Sequence, residues 1–134
     1  MFSLGRTLGK NMIVGVGTDI IEIERVVEAI DNERLLEKYF SEDELKFLDS
    51  QLSAKKPTAA ACFAAKEAFT KALGTGVNGF VLKEVEILKD EKGKLILRLS
   101  EGAKQVAYSK GAKRYHVSIS HCKDYAMATV ILEK

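Results

Sequence analysis

The chain contains no tryptophan, one proline (Pro57), two cysteines (Cys62 and Cys122) and two histidines (His116 and His121) among its 134 residues. The cysteines lie far apart and outside any Cys-x-x-Cys spacing, so neither a disulfide framework nor a zinc ribbon is available, and free thiols in a reducing compartment are expected. Long apolar runs are also missing: nothing approaches the ~20 residues that a bilayer-spanning helix requires, and residues 1–11, MFSLGRTLGKN, lack the apolar core of a secretory signal. A soluble, cytoplasmic protein without a membrane partner is expected. Charge of one sign is absent too, since 21 basic and 19 acidic side chains leave a net charge of +2. That balance argues against a nucleic-acid partner, and any charged ligand must be met by a local patch. No Gly-x-x-x-x-Gly-Lys loop occurs, and the one Gly-x-Gly-x-x-Gly match, GTGVNG over 74–79, follows a helical stretch rather than a strand, which is not the setting of a dinucleotide fingerprint.

What is present is enough for one core. A hydrophobic fraction of 46% in a chain of this length supports a single domain that buries about two thirds of its unfolded surface. Residues 12–23, MIVGVGTDIIEI, are rich in β-branched side chains and predict a buried strand, with Gly15 and Gly17 marking a close backbone approach or a bulge. Residues 24–39 carry helical periodicity. Ser41 and Glu44 have capping-box spacing and open a further helix to residue 52. The alternating stretches VEIL and LILRL, separated by KDEKGK, predict a hairpin; a short helix over 102–109 follows, and HVSISH, CKDY and AMATVILE form a second hairpin. Irregularly interspersed helices with late antiparallel hairpins predict an α+β domain over 12–134, a long amphipathic helix packed on a mainly antiparallel sheet.

That long helix contains the stretch FAAKEAFTKALGTG. At 100° per residue, Ala64, Ala65, Ala68, Phe69, Ala72 and Leu73 share one arc, and Phe63, Lys66, Glu67, Thr70 and Lys71 share the other. Thr58 is the expected N-cap, and Gly74 stands where a left-handed cap would end the helix. The charged arc has two readings. Either Glu67 and Lys71 form an ordinary i,i+4 pair contributing ~0.3–0.5 kcal/mol, or the arc faces a ligand that needs both signs.

Three features bear on the choice. Asp19 interrupts an apolar strand, and a carboxylate removed from water costs several kcal/mol unless it is paired, hydrogen-bonded, at an exposed strand end or bound to a cation. With Glu67 it would supply the hard oxygen ligands that suit Mg²⁺, whose remaining positions go to water and phosphate oxygens. Lys71, one turn on, would neutralise phosphate charge, and the amides of Gly74, Thr75 and Gly76 would approach another phosphate. In HVSISH, strand alternation places His116, Ser118 and Ser120 on one face and Val117, Ile119 and His121 on the other, so the two histidines cannot form a simple metal pair.

In order and spacing, GVGTDIIEIER, FAAKEAFTKALGTG and HVSISHCKDYA resemble the holo-acyl-carrier-protein synthases, the short class of 4′-phosphopantetheinyl transferases. The resemblance runs from Met12 to the end of the chain, which leaves residues 1–11 as an extension or leader. It implies transfer of the phosphopantetheine arm of coenzyme A to a serine of acyl carrier protein in support of fatty acid biosynthesis, with Asp19 and Glu67 holding Mg²⁺ on the pyrophosphate. It further implies that Lys66 and Lys71 contact phosphates, that Gly74, Thr75 and Gly76 lie by the nucleotide, and that His116 and Ser118 line the coenzyme site. Glu67, Asp19 and a metal-bound water remain alternative bases for the serine proton. Arg25, with Arg34 and Lys38, would meet the acidic carrier protein, and a homotrimer with coenzyme A between neighbouring subunits is expected. One departure stands out. Cys62 occupies a position at which many members carry arginine, which leaves a non-catalytic nucleotide- or carrier-binding module as the competing reading.

Overall fold

A computed structural model describes residues 12–134; the leader expected over 1–11 lies outside them. Five strands and five helices follow one another as β1 (Ile13–Glu22), α1 (Ile23–Ile30), α2 (Glu33–Tyr39), α3 (Glu42–Asp49), α4 (Lys55–Leu73), β2 (Val85–Lys89), β3 (Leu95–Leu99), α5 (Glu101–Ser109), β4 (Arg114–His121) and β5 (Tyr125–Glu133). β1, β5 and β4 form an antiparallel sheet in that order, and β2 and β3 form a separate hairpin. The expected α+β architecture is therefore present, as are both hairpins and the short helix before β4.

Helix α4 is the axis of the molecule. From Thr58 to Leu73 every residue is buried except Phe63 and Glu67, which are half-buried, and Lys71, which is exposed. These three lie four residues apart, so they form one line along the helix. The two-arc expectation is thus corrected: Lys66 and Thr70 are not on a solvated face, because a helix packed between a sheet and other helices is enclosed on nearly all sides. Thr58 is likewise inside the helix rather than capping it. The helix begins at Lys55 behind a 3₁₀ turn over Leu52–Ala54, its N-cap Ala54 offers no side-chain bond, and Pro57 sits in the first turn, where a missing N–H is harmless. At the other end Gly74 takes the expected left-handed conformation, φ 80°.

The alanine face of α4 allows β1 to come unusually close. A Cβ on Gly17 would overlap the Ala68 carbonyl oxygen and stand 2.7 Å from the Ala72 nitrogen, and one on Gly15 would overlap the Ala72 carbonyl oxygen. The close approach read from the sequence is therefore real, and it fixes which face of β1 looks at the helix. Gly15, Gly17, Asp19 and Ile21 point toward α4, and Val16 and Ile20 point away and are exposed. The expectation of a fully buried strand is corrected, since β1 is an edge strand covered on one face only.

Between Ile30 and Tyr39 the expected single helix is two, divided at Asp31 and Asn32, where the Asn32 side chain accepts from the Arg34 and Leu35 amides. The capping box of α3 forms as expected: the Glu44 amide donates to Ser41 Oγ at 3.2 Å and the Ser41 amide to Glu44 Oε1 at 3.0 Å. α3 stops at Asp49, short of residue 52.

Two ionic links attach the β2–β3 hairpin to the helices. Arg98 on β3 donates from Nε to Glu86 Oε1 at 2.9 Å and from Nη2 to Asp43 Oδ2 at 2.8 Å, and Ser41 Oγ donates to Glu86 at 2.6 Å. The second link is buried. Lys66 Nζ meets Glu44 Oε1 at 2.7 Å, where burial pushes the lysine's proton affinity down and the carboxyl's up while their mutual attraction opposes both shifts. Cys62, one turn before Lys66, is equally buried, and its thiol is pushed up to about 12 by burial and by the Glu44 charge.

Two stability measurements follow. Gly17→Ala should lower the unfolding free energy by about 3 kcal/mol through overpacking against α4, whereas Gly74→Ala, with open space around it, should lose only about 1 kcal/mol from its backbone angle; urea titration checks both. Burial raises the Glu86 carboxyl, but hydrogen bonds from Arg98 and Ser41 and the Arg98 charge outweigh it, so its proton affinity ends below the ordinary value of 4.5. A depressed carboxyl stabilises the fold above its unfolded value and loses that contribution as pH falls through the folded one. Arg98→Met should therefore be less stable than the parent by about 1 kcal/mol at pH 7, Arg98 being half exposed, with the gap closing below pH 4.5 in a series of denaturation curves.

Candidate functional site

The glycine contact between β1 and α4 carries Asp19 to the line of open positions on the helix. Two residues along the strand from Gly17, Asp19 reaches Lys71, whose ammonium donates to Asp19 Oδ1 at 2.9 Å and to the Thr18 carbonyl oxygen at 3.1 Å. Lys71 therefore pairs across elements with Asp19, and the expected pair with Glu67 on its own helix is not formed. This is the partner that the buried position of Asp19 called for, its side chain being only 18% exposed.

Glu67 lies one turn before Lys71 on the same line. Burial first and the Asp19 charge second raise its proton affinity, and Lys71 opposes them. The two carboxylates thus lie within each other's field, with a single ammonium to balance two negative charges. Among the described residues no cluster of three or more His, Cys, Asp or Glu side chains exists. A hard cation held by one or two carboxylates fits this donor set, and a zinc ion does not.

Asp19 and Glu67 open onto a cleft of about 470 Å³ between β1, α1, α2 and α4, with Arg25 at its mouth and an apolar wall that includes Ile21, Tyr39 and Phe63. Arg25 was expected at the partner-binding edge, and the fold places it beside the carboxylates. Arg34 and Lys38 are exposed one turn apart on α2, away from the cleft lining, and Lys38 lies over the Tyr39 ring at 5.5 Å.

Other expected residues separate from this group. Lys66 is fully buried with Glu44 and the Leu82 and Val85 carbonyl oxygens, so its assignment as a phosphate contact is corrected: all three ammonium protons are engaged inside the core. The Gly74 amide is likewise engaged, donating to Thr70 O at 3.3 Å and Lys71 O at 3.1 Å, so it cannot also bind a phosphate; Thr75 and Gly76 are exposed beyond it. His116 and Ser118 stand on the outer face of the sheet, opposite the face that packs on α4, and His116 Nε2 lies 2.9 Å from Glu133 Oε1. Within one chain they do not meet Asp19 and Glu67.

A second cleft, of about 600 Å³, lies along the free edge of β4 and is lined by Ser118, Ser120, His121, Thr58 and two cations from the hairpin, Lys89 and Lys94. Lys89 and Lys94, which line it, were not singled out from the sequence. The lysine-rich turn KDEKGK was their signal, but nothing in one-dimensional spacing says that this turn lies beside the later strand.

Residues 15–130 match the model of the 4′-phosphopantetheinyl transferase superfamily. The holo-[acyl-carrier-protein] synthase of Clostridium acetobutylicum is 46% identical over 123 residues, covering 91% of this chain and 98% of that protein. In three dimensions the chain resembles the holo-[acyl-carrier-protein] synthase of Neisseria meningitidis with a TM-score of 0.82 at 30% identity, over 92% of this chain and 100% of that one. It also resembles the synthase of Bacillus anthracis in complex with CoA (3′,5′-ADP), with a TM-score of 0.74 at 36% identity, over 91% and 97% of the two chains. A strand carboxylate and a helix carboxylate brought together by a glycine–alanine contact, at the positions where the sequence motifs of these enzymes fall, agree with that likeness: the chain belongs to the 4′-phosphopantetheinyl transferase superfamily, among its holo-[acyl-carrier-protein] synthases.

Proposed function

We propose that this chain transfers the 4′-phosphopantetheine group of coenzyme A to a serine of apo-acyl carrier protein, releasing 3′,5′-ADP, in a Mg²⁺-dependent reaction that supplies carrier protein for fatty acid synthesis. The observation that carries this reading is that Asp19 and Glu67 line one cleft and lie within each other's field, with Lys71 bonded to Asp19. Asp19 and Glu67 would hold the cation, which, when bound, neutralises pyrophosphate charge as the transferred phosphorus changes partners. Lys71, 57% exposed and hinged on Asp19, is within the same cluster to stabilise charge on the phosphate oxygens. Glu67 and Asp19 are the carboxylates of this cluster that can accept the proton of the attacking serine. Arg25 at the cleft mouth, with Arg34 and Lys38 beyond it, offers positive charge to an acidic carrier.

Lys89 and Lys94 give the second cleft positive charge for the remaining phosphate of the nucleotide, and His121 lines it beside them. They, with Thr75 and Gly76, take over the anion-binding role that Lys66 and Gly74 cannot fill. Cys62, buried and protonated, makes no such contact.

A homotrimer is proposed from the outer face of the sheet. Val16, Ile20 and Met127 are 58%, 65% and 42% exposed there, and Ile20 and Met127 are cross-strand partners, so a contiguous apolar patch lies on an otherwise polar wall that includes His116 and Ser118. Packing this face against a neighbour would bring His116 and Ser118 of one subunit toward the carboxylate cleft of the next. No helix among the described residues is long and apolar enough to cross a membrane, and both cysteines are free thiols; a reducing cytoplasm suits them.

Incubation with apo-carrier protein, coenzyme A and Mg²⁺ should add the mass of one phosphopantetheine, and chelation of the metal should stop it. Asp19→Asn and Glu67→Gln should each reduce the rate at least ~1,000-fold while circular dichroism stays unchanged; retained transfer in either variant sinks the assignment, and nucleotide binding without mass gain would favour a non-catalytic module. Met127→Arg should sediment as a monomer, where the parent sediments as a trimer.

A further inference from the structure

The lysine next to Glu67 has no access to any ligand, yet it makes the most complete set of polar contacts in the molecule. Lys66 Nζ donates to Glu44 Oε1 at 2.7 Å, to the Leu82 carbonyl oxygen at 3.1 Å and to the Val85 carbonyl oxygen at 2.5 Å, and it lies 5.0 Å from the Phe40 ring centre. Glu44 in turn accepts the Ser41 amide on Oε1 and the Ile87 amide on Oε2, both at 3.0 Å. Both side chains are sealed from solvent, 0% and 1% exposed. All three ammonium protons and both carboxylate oxygens are therefore engaged by neighbours that belong to three separate pieces of chain.

Those pieces are the ones that carry ligand-facing groups. Leu82 closes the loop that leaves α4 through Thr75 and Gly76. Val85 and Ile87 begin the strand that leads to Lys89 and, across the turn, Lys94. Glu44 sits at the capped start of α3, which is tied a second time to the same hairpin through Asp43, Arg98 and Glu86. The hairpin is not part of the three-stranded sheet, so no continuous ladder holds it to β1 and the Asp19–Glu67 pair. A long, straight side chain ending in three donors can bridge from the middle of a helix to two carbonyls and a carboxylate at once, and a hydrophobic residue cannot reproduce that directionality.

We infer that Lys66 is a positioning residue: with Glu44 it locks the glycine loop and the cationic hairpin to helix α4, so that the nucleotide end of coenzyme A is held in fixed geometry without Lys66 touching it. This rests on the proposed transferase reading. It differs from a phosphate-contact role, which would require exposure, and from a role in the chemical step, which would require proximity to the reacting groups.

The test uses the full-length protein, Mg²⁺, coenzyme A, apo-carrier protein and adenosine 3′,5′-bisphosphate as a binding probe. In Lys66→Met, KM for coenzyme A and Kd for the bisphosphate should each rise at least tenfold, while kcat at saturating coenzyme A changes less than threefold. Because Lys66→Met leaves Glu44 buried and unpaired, it can fail to fold; the double variant Glu44→Leu/Lys66→Met removes both charges and keeps an apolar fill. The double variant should fold, by its thermal transition, and still show the weakened bisphosphate affinity, with faster hydrogen exchange at the Ile87 amide. A wild-type Kd in the double variant would overturn the inference, showing that the pair only neutralises itself. A fall in kcat with KM unchanged would overturn it in favour of a role in chemistry. If the parent protein itself gives no mass gain and binds no bisphosphate, the transferase reading fails instead, so the two failures are distinguishable.

Discussion

Everything at the site depends on how closely β1 can lie against α4. Two glycines on the strand face alanine backbone on the helix, and the missing methyl groups at Gly15 and Gly17 let the two elements approach to a distance at which any side chain would collide with the Ala68 and Ala72 carbonyl oxygens. Dense packing makes such contact both stabilising and unforgiving. Its functional consequence is lateral. Because strand side chains alternate, seating Gly15 and Gly17 against the helix also turns Asp19 inward, where it finds Lys71 and the field of Glu67.

The same contact explains why α4 has so little free surface. Enclosed by the sheet on one side and by α1, α3 and the hairpin on others, it leaves only the line Phe63, Glu67 and Lys71 open between Thr58 and Leu73. Two of those three are charged, along a stretch that otherwise buries even a lysine. Lys66 and Glu67 are adjacent in sequence and opposite in fate: one is locked into the core, the other faces the cleft. Their 100° separation around the helix is enough to send one into the core and leave the other on the cleft.

Charge is arranged in two ways in this protein. Networks that join elements, Lys66 with Glu44 and Arg98 with Glu86 and Asp43, give each cation at least one carboxylate and tie the hairpin to the helices. Around Asp19 and Glu67 the balance is incomplete, with one ammonium between two carboxylates. Incomplete compensation of this kind distinguishes the cluster from the ion pairs that join elements.

Local pattern in the sequence by itself was sufficient for much of this: the capping box at Ser41 and Glu44, the left-handed stop at Gly74, both hairpins, the inward strand face of Val117 and Ile119, and the suspicion attached to Asp19 within an apolar strand. Each of these rests on spacing within a few residues, which periodicity and backbone stereochemistry encode directly. What only the tertiary structure decided depends on neighbours distant along the chain. A helical wheel places Lys66 beside Glu67 on a charged arc, and it cannot know that α3 and β2 arrive there with a carboxylate and two carbonyls. Nor can it know that Lys71 prefers Asp19, 52 residues away, to a carboxylate one turn off. Lys89 and Lys94 were invisible for the same reason: a side chain's role is set by what the fold brings within a few ångströms of it, and that information resides in packing rather than in order.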